Sequence, residues 1–178
     1  MNLGFAGRAL WPALLLAALP ATVPAQDTAP PPLEFMGLRP GASLSEVSGQ
    51  LAGLGGDRMR CDRARRDPAV SECRARLFDP GTGRALELWL SAIDSLTSVI
   101  TVSGPVTGEQ LNTWKTTLEH DYGEVGARVQ GPQWMMQWVR RGRMIRLTWR
   151  LESTGKVASV SLVDGHVLDD WGRRRGQP

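Results

Sequence analysis

Histidine and cysteine are scarce in this chain of 178 residues, two of each, and several chemistries go with them. No C-x-x-C is present and no histidine lies near Cys61 or Cys73. That removes the usual dithiol motif and the familiar zinc spacings. No G-x-S-x-G marks a nucleophile elbow. The glycines at 53–56 are not followed by Gly-Lys-Ser/Thr, so they are not a phosphate loop. No apolar run reaches the roughly 20 residues that a comfortable membrane-spanning helix needs. Lysine is nearly missing, with only Lys115 and Lys156, whereas arginine, alanine and glycine are abundant. That composition is associated with GC-rich bacterial genomes.

What is present begins with residues 1–25, which have the layout of a secretory signal peptide. Arg8 supplies the positive start, residues 9–19 the short apolar run, and Val23-Pro24-Ala25 a small-residue cleavage pattern before Gln26. Arg8 stands alone, which argues against a twin-arginine signal. The first cysteine is Cys61, too distant for a lipid anchor. The expectation is a periplasmic or secreted chain with no transmembrane segment after cleavage, a retained anchor being the alternative. In an oxidising compartment Cys61 and Cys73 are expected to form a disulfide. Closing so short a loop contributes about 3 kcal/mol at most.

Net charge is +3, a mild excess. Between residues 57 and 76, seven arginines are interspersed with Asp57, Asp62, Asp67 and Glu72. A nucleic-acid footprint would show a cleaner basic stripe, so this stretch reads as a solvated, mixed-charge loop and nucleic acid is not an expected partner.

Residues 26–34 contain three consecutive prolines and read as an extended linker. Residues 35–172 form the expected folded domain, and residues 173–178 a basic tail without structure. Ser43 with Glu46 makes a capping box, and Leu44, Val47, Leu51 and Leu54 share the face of the helix it opens. Thr107 with Gln110 opens a second helix carrying Leu111, Trp114 and Leu118, closed by Gly123. Strand-like segments follow each helix: 58–62, 71–78, 84–91 and 97–103, then 134–140, 143–152 and 156–163. The fold class expected is α+β, two helices packed on antiparallel meanders. The layout suggests tandem repeats at 35–104 and 105–172.

Register can be predicted where both sides alternate. A turn at Arg141 and Gly142 sets Trp138 against Ile145, Met136 against Leu147 and Trp134 against Trp149. A turn at Thr154 and Gly155 sets Leu151 against Ala158 and Leu147 against Leu162. Both hairpins then put their apolar residues on one side, with Gln137, Arg146, Thr148, Arg150, Ser159 and Ser161 on the other. In the first meander, Leu86, Leu88 and Leu90 match Ile100 and Val102 only if the connection near Ile93 and Asp94 has an odd length.

Candidate chemistry is thin. His120 lies at a helix end, where it can meet the terminal carbonyls. Asp164, His166, Asp169 and Asp170 match no familiar metal pattern and read as a polar turn. Trp134, Trp138 and Trp149 are expected together in the core. Trp89 and Trp171 are candidates for a contact surface. Arg146 and Arg150 could grip a small anion or simply cover a solvated sheet face beside Glu152. No residue is assigned as catalytic, and no metal or cofactor is implied.

The run Leu38-Arg39-Pro40-Gly41-Ala42-Ser43-Leu44-Ser45-Glu46-Val47, with Leu51 and Gly53 after it, resembles the G-x-S-x-x-x-V helix opening of SmpA/BamE-like envelope proteins. These, like the β-lactamase-inhibitor-type repeats, set helices against a small antiparallel meander. The lipid-anchor cysteine of the former is absent. The resemblance implies a non-enzymatic role in binding another envelope protein. The alternatives are a small envelope hydrolase whose acids meet only in the fold, and a binder of a small anionic ligand.

Overall fold

The computed structural model of this chain describes residues 31–176. The expected signal segment, most of the expected linker, and residues 177–178 lie outside the described residues.

Helix α1 (Leu44–Gly53) starts where its capping box places it. The Ser43 N–H donates to Glu46 Oε2 (2.8 Å) and the Glu46 N–H to Ser43 Oγ (3.3 Å). The bonds from the Ser43 backbone and hydroxyl hold the Glu46 carboxyl below the usual range. Helix α2 (Gly108–Tyr122) is capped by Thr107, whose Oγ1 accepts from the Gln110 N–H (3.1 Å). Gln110 does not return the bond; its side chain is buried instead. Gly123, at φ 95°, ends the helix.

Eight strands form one antiparallel sheet: β1 (Arg60–Ala64), β2 (Asp67–Phe78), β3 (Ala85–Ile93), β4 (Leu96–Val106), β5 (Arg128–Gln130), β6 (Gln133–Arg140), β7 (Arg143–Glu152) and β8 (Gly155–Asp164). Their order is β1-β2-β3-β4-β8-β7-β6-β5. Each meander therefore follows a helix, and the two meet at their last strands, β4 on β8. At this seam Thr101 pairs with Ser161, flanked by Ile100 with Leu162 and Val102 with Val160.

The β6–β7 register is the predicted one, turning at Arg141 (φ 47°) and Gly142 (φ 73°). The β7–β8 register is not. Glu152 pairs with Gly155, so Ser153 and Thr154 make the turn, and Leu147 faces Val160, with Leu162 opposite Ile145. The shift is two residues, an even number, so every side chain keeps its face. In the first meander, Leu88 pairs with Val102 and Leu90 with Ile100, as the apolar pattern requires. The odd spacing comes from a two-residue turn at Asp94 and Ser95 plus a bulge between Ser91 and Ala92.

One sheet face and the helices α1 and α2 enclose the core. Val47, Leu51, Leu111, Trp114 and Leu118 meet Leu88, Leu90, Ile100, Val102, Ile145, Leu147 and Leu162 there. Leu33 belongs to this core as well, at 3% exposure. Packing thus begins inside the segment read as a linker. Tyr122 fastens that segment, its hydroxyl accepting from the Glu34 N–H (2.9 Å). Trp138 is buried, donating to the Gly123 carbonyl (2.7 Å). Trp149 is partly buried, whereas Trp134, expected in the core, is 40% exposed. Trp134 stacks on Trp149 near the β5 edge of the sheet.

A third helix, α3 (Gly165–Arg175), replaces the polar turn and takes in Arg173, Arg174 and Arg175 of the expected tail. Asp164 builds its start. Its Oδ1 accepts from the His166 and Val167 N–H groups (2.9 and 3.2 Å), and its Oδ2 from Arg143 Nε (2.7 Å). Gly41, at φ 82°, lies against the same carboxylate; a Cβ there would stand 2.4 Å from Asp164 Oδ2. The glycine ahead of the first capping box is thus required by α3's cap. Among the described residues no helix is long and apolar enough to cross a membrane.

Candidate functional site: the open sheet face

The sheet face opposite α1 and α2 is polar. Its centre is a band of hydroxyls across the seam: Thr101 and Ser161 lie 3.0 Å apart, Thr148 and Ser159 2.7 Å. Arginines flank this band on both sides.

On the β6–β7 flank stand Arg146 and Arg150, as alternation predicts. Both are engaged. Arg146 donates twice to Gln137 Oε1 (3.0 and 2.8 Å), and Arg150 Nε donates to Glu152 Oε1 (2.7 Å). Two cations already satisfied by neighbours are a modest anion trap.

The β1–β3 flank differs. The stretch read as a mixed-charge loop is a hairpin, β1 with β2, closed by the Cys61–Cys73 disulfide across directly paired positions. Strand geometry sends alternate residues to one side. Arg60 pairs with Arg74, Arg74 with Trp89, and Arg76 with Glu87. Together with Arg58 they line a groove of about 1130 Å³ that also touches Asp57. None of these four arginines takes part in an ion pair or side-chain hydrogen bond found among the described residues. Directly opposed like charges destabilise a ladder. Half-buried Trp89 forms part of the groove wall. The signal for this cluster is present in the sequence: Arg58 and Arg60, then Arg74 and Arg76, repeat at a spacing of two.

Of the residues expected at a contact surface, Trp89, Arg146 and Arg150 therefore share one face. Trp171 is used within the chain, donating to Asp67 Oδ2 (2.9 Å) beneath Arg175. That bond, foremost, holds the Asp67 carboxyl below the usual range. His166 Nε2 donates to the Arg141 carbonyl (2.8 Å), and exposed His120 lies 2.9 Å from Asp121. Asp164 caps α3 and Asp170 pairs with Arg173. Among the described residues no three His, Cys, Asp or Glu side chains converge as metal ligands would.

Compared with known proteins, the chain matches no family model, no curated protein and no solved structure.

Proposed function

We propose that this is an exported, periplasmic binding protein of the bacterial cell envelope, and that its arginine-lined groove takes an acidic segment of another envelope protein. The observation that carries this is the set Arg58, Arg60, Arg74 and Arg76 around Trp89, unpaired and held close by the sheet. Arginine forks suit carboxylates, and an aromatic among them supplies apolar contact area. The disulfide pins the edge strand that carries Arg60, and it fits an oxidising compartment. The helix opening at Gly41 to Val47, with its likeness to SmpA/BamE-like proteins, points the same way. The two helix-plus-meander halves, joined at Thr101 and Ser161, support an origin by duplication. Arg146 and Arg150 are the weaker place for an anion, since Glu152 and Gln137 already hold them.

The test is a photo-crosslinking residue at Trp89, in cells, with the captured protein identified by mass spectrometry. An acidic envelope protein is expected, and the Arg74→Glu, Arg76→Glu double variant should lose it while keeping its circular dichroism spectrum. Capture that survives this charge reversal would sink the reading.

A further inference from the structure

A second concavity, of about 810 Å³, lies on the helix side of the molecule, between residues 34–37, the 79–82 turn and α2. Its charge is opposite to that of the groove. Glu34, Asp79, Glu109 and Asp121 line it, and among the described residues no lysine, arginine or histidine does.

Two of its residues are unusual. Asp79 is 4% exposed and has no cation among the ion pairs of the described residues. Its Oδ1 accepts from the Gly81 N–H (3.1 Å), the Thr82 N–H (2.8 Å) and Thr82 Oγ1 (2.9 Å), and its Oδ2 from Trp114 Nε1 (2.9 Å). Burial pushes this carboxyl up, but the bonds from Trp114 and Thr82, with the Gln110 amide nearby, outweigh it and leave it below the usual range. It is an ionised group, suited to holding a cation rather than to supplying a proton. Gln110, 2% exposed, lines the same cavity, and among the described residues neither its Oε1 nor its Nε2 has a hydrogen-bond partner of good geometry. A buried amide left unpaired is costly, and such groups call for an explanation.

We propose that this cavity binds a small organic cation, a primary ammonium carried on an apolar body. The ammonium donates to Asp79 Oδ2 and Gln110 Oε1, the acceptors with capacity left. The body packs against Phe35 and Trp114, which meet edge to face with centroids 5.1 Å apart and offer a cation a π-surface. Glu34, Glu109 and Asp121 add negative potential around it.

The probe is 2-phenylethylammonium, titrated calorimetrically into the full-length protein at low salt, with neutral 2-phenylethanol as its isostere. Saturable binding in the millimolar range or tighter is expected, with the alcohol at least about 10-fold weaker. Asp79→Asn should remove the preference for the cation. Because Asp79 also organises its turn, Gln110→Leu decides the matter independently: it should keep or raise the melting temperature while weakening the ammonium about 10-fold. No saturation, equal binding of the alcohol, or unchanged affinity in Gln110→Leu would each overturn the proposal.

Discussion

Arg60 and Arg74 face each other directly across the β1–β2 ladder, and neither has an acid for a partner among the ion pairs of the described residues. A like-charge pair in that position costs stability. Arg60→Thr should therefore stabilise the protein by roughly 0.2–1 kcal/mol, read as a higher urea midpoint with an unchanged slope. A loss of stability would show that the pair has an internal partner.

The neighbouring disulfide works in the other direction. Reduction, or the double Cys61→Ser, Cys73→Ser variant, should cost about 3 kcal/mol, with Cys73→Ser adding to it because Cys73 is fully buried. The mature protein, unfolded without reductant, should take up no thiol alkylator, and alkylation at both positions would refute the bridge.

Asp164 joins α3, Arg143 and the Gly41 turn. Asp164→Ala removes a helix cap and leaves half-exposed Arg143 without its partner, for a loss of about 2–3 kcal/mol. Hydrogen exchange should rise first in the α3 amides. Gly41→Ala should also destabilise, by more than about 1 kcal/mol, since φ there is positive and the new methyl meets the carboxylate.

The acid limb of stability should carry a contribution from Asp79. Its carboxyl titrates lower in the folded than in the unfolded chain. The stabilisation it gives is therefore complete above the ordinary aspartate value, about 4, and is lost as pH falls through the lower folded value. Asp79→Asn should be less stable near neutrality and show a shallower decline below pH of about 4. Parallel acid limbs in urea titrations would contradict this.

Trp138 and Trp134 project toward the same face four residues apart but should behave differently. Trp138→Ala removes a buried ring and its bond to Gly123 and should cost about 3–5 kcal/mol. Trp134→Ala, in a position 40% exposed, should cost about 1 kcal/mol.

What could be read in advance follows the range of the forces involved. Ser43 with Glu46, and Thr107, announce their helices because caps are local. The β6–β7 pairing was legible because its turn and its alternation agree. The β7–β8 pairing differs from the expected one by two residues, its turn moving by one, because alternation fixes parity and leaves even shifts open. Helix α3 is hard to read because it opens on Gly165, carries Gly172 inside it and has only Val167, Leu168 and Trp171 as apolar residues; Asp164 caps it and Trp171 ties it to Asp67. The spacing of two marks Arg58 and Arg60, and Arg74 and Arg76, as pairs, but only the β1–β2 register sets Arg60 opposite Arg74 and Asp62 opposite Glu72, and that register is not readable from a stretch of mixed charge. Trp134 lies shallower than its alternation suggests because periodicity gives a side but not how far a helix reaches over it.

The seam between β4 and β8 sets the order in which the sheet can be finished. Thr101 meets Ser161 sixty positions later, so the first meander must stand with β4 as a bare edge while the second is still being delivered. An uncovered edge is a template for foreign strands, and its closure waits on the slow search for a distant partner. The growing chain is thus exposed in the middle rather than at its flanks, and the strand that ends the exposure is the last one to arrive.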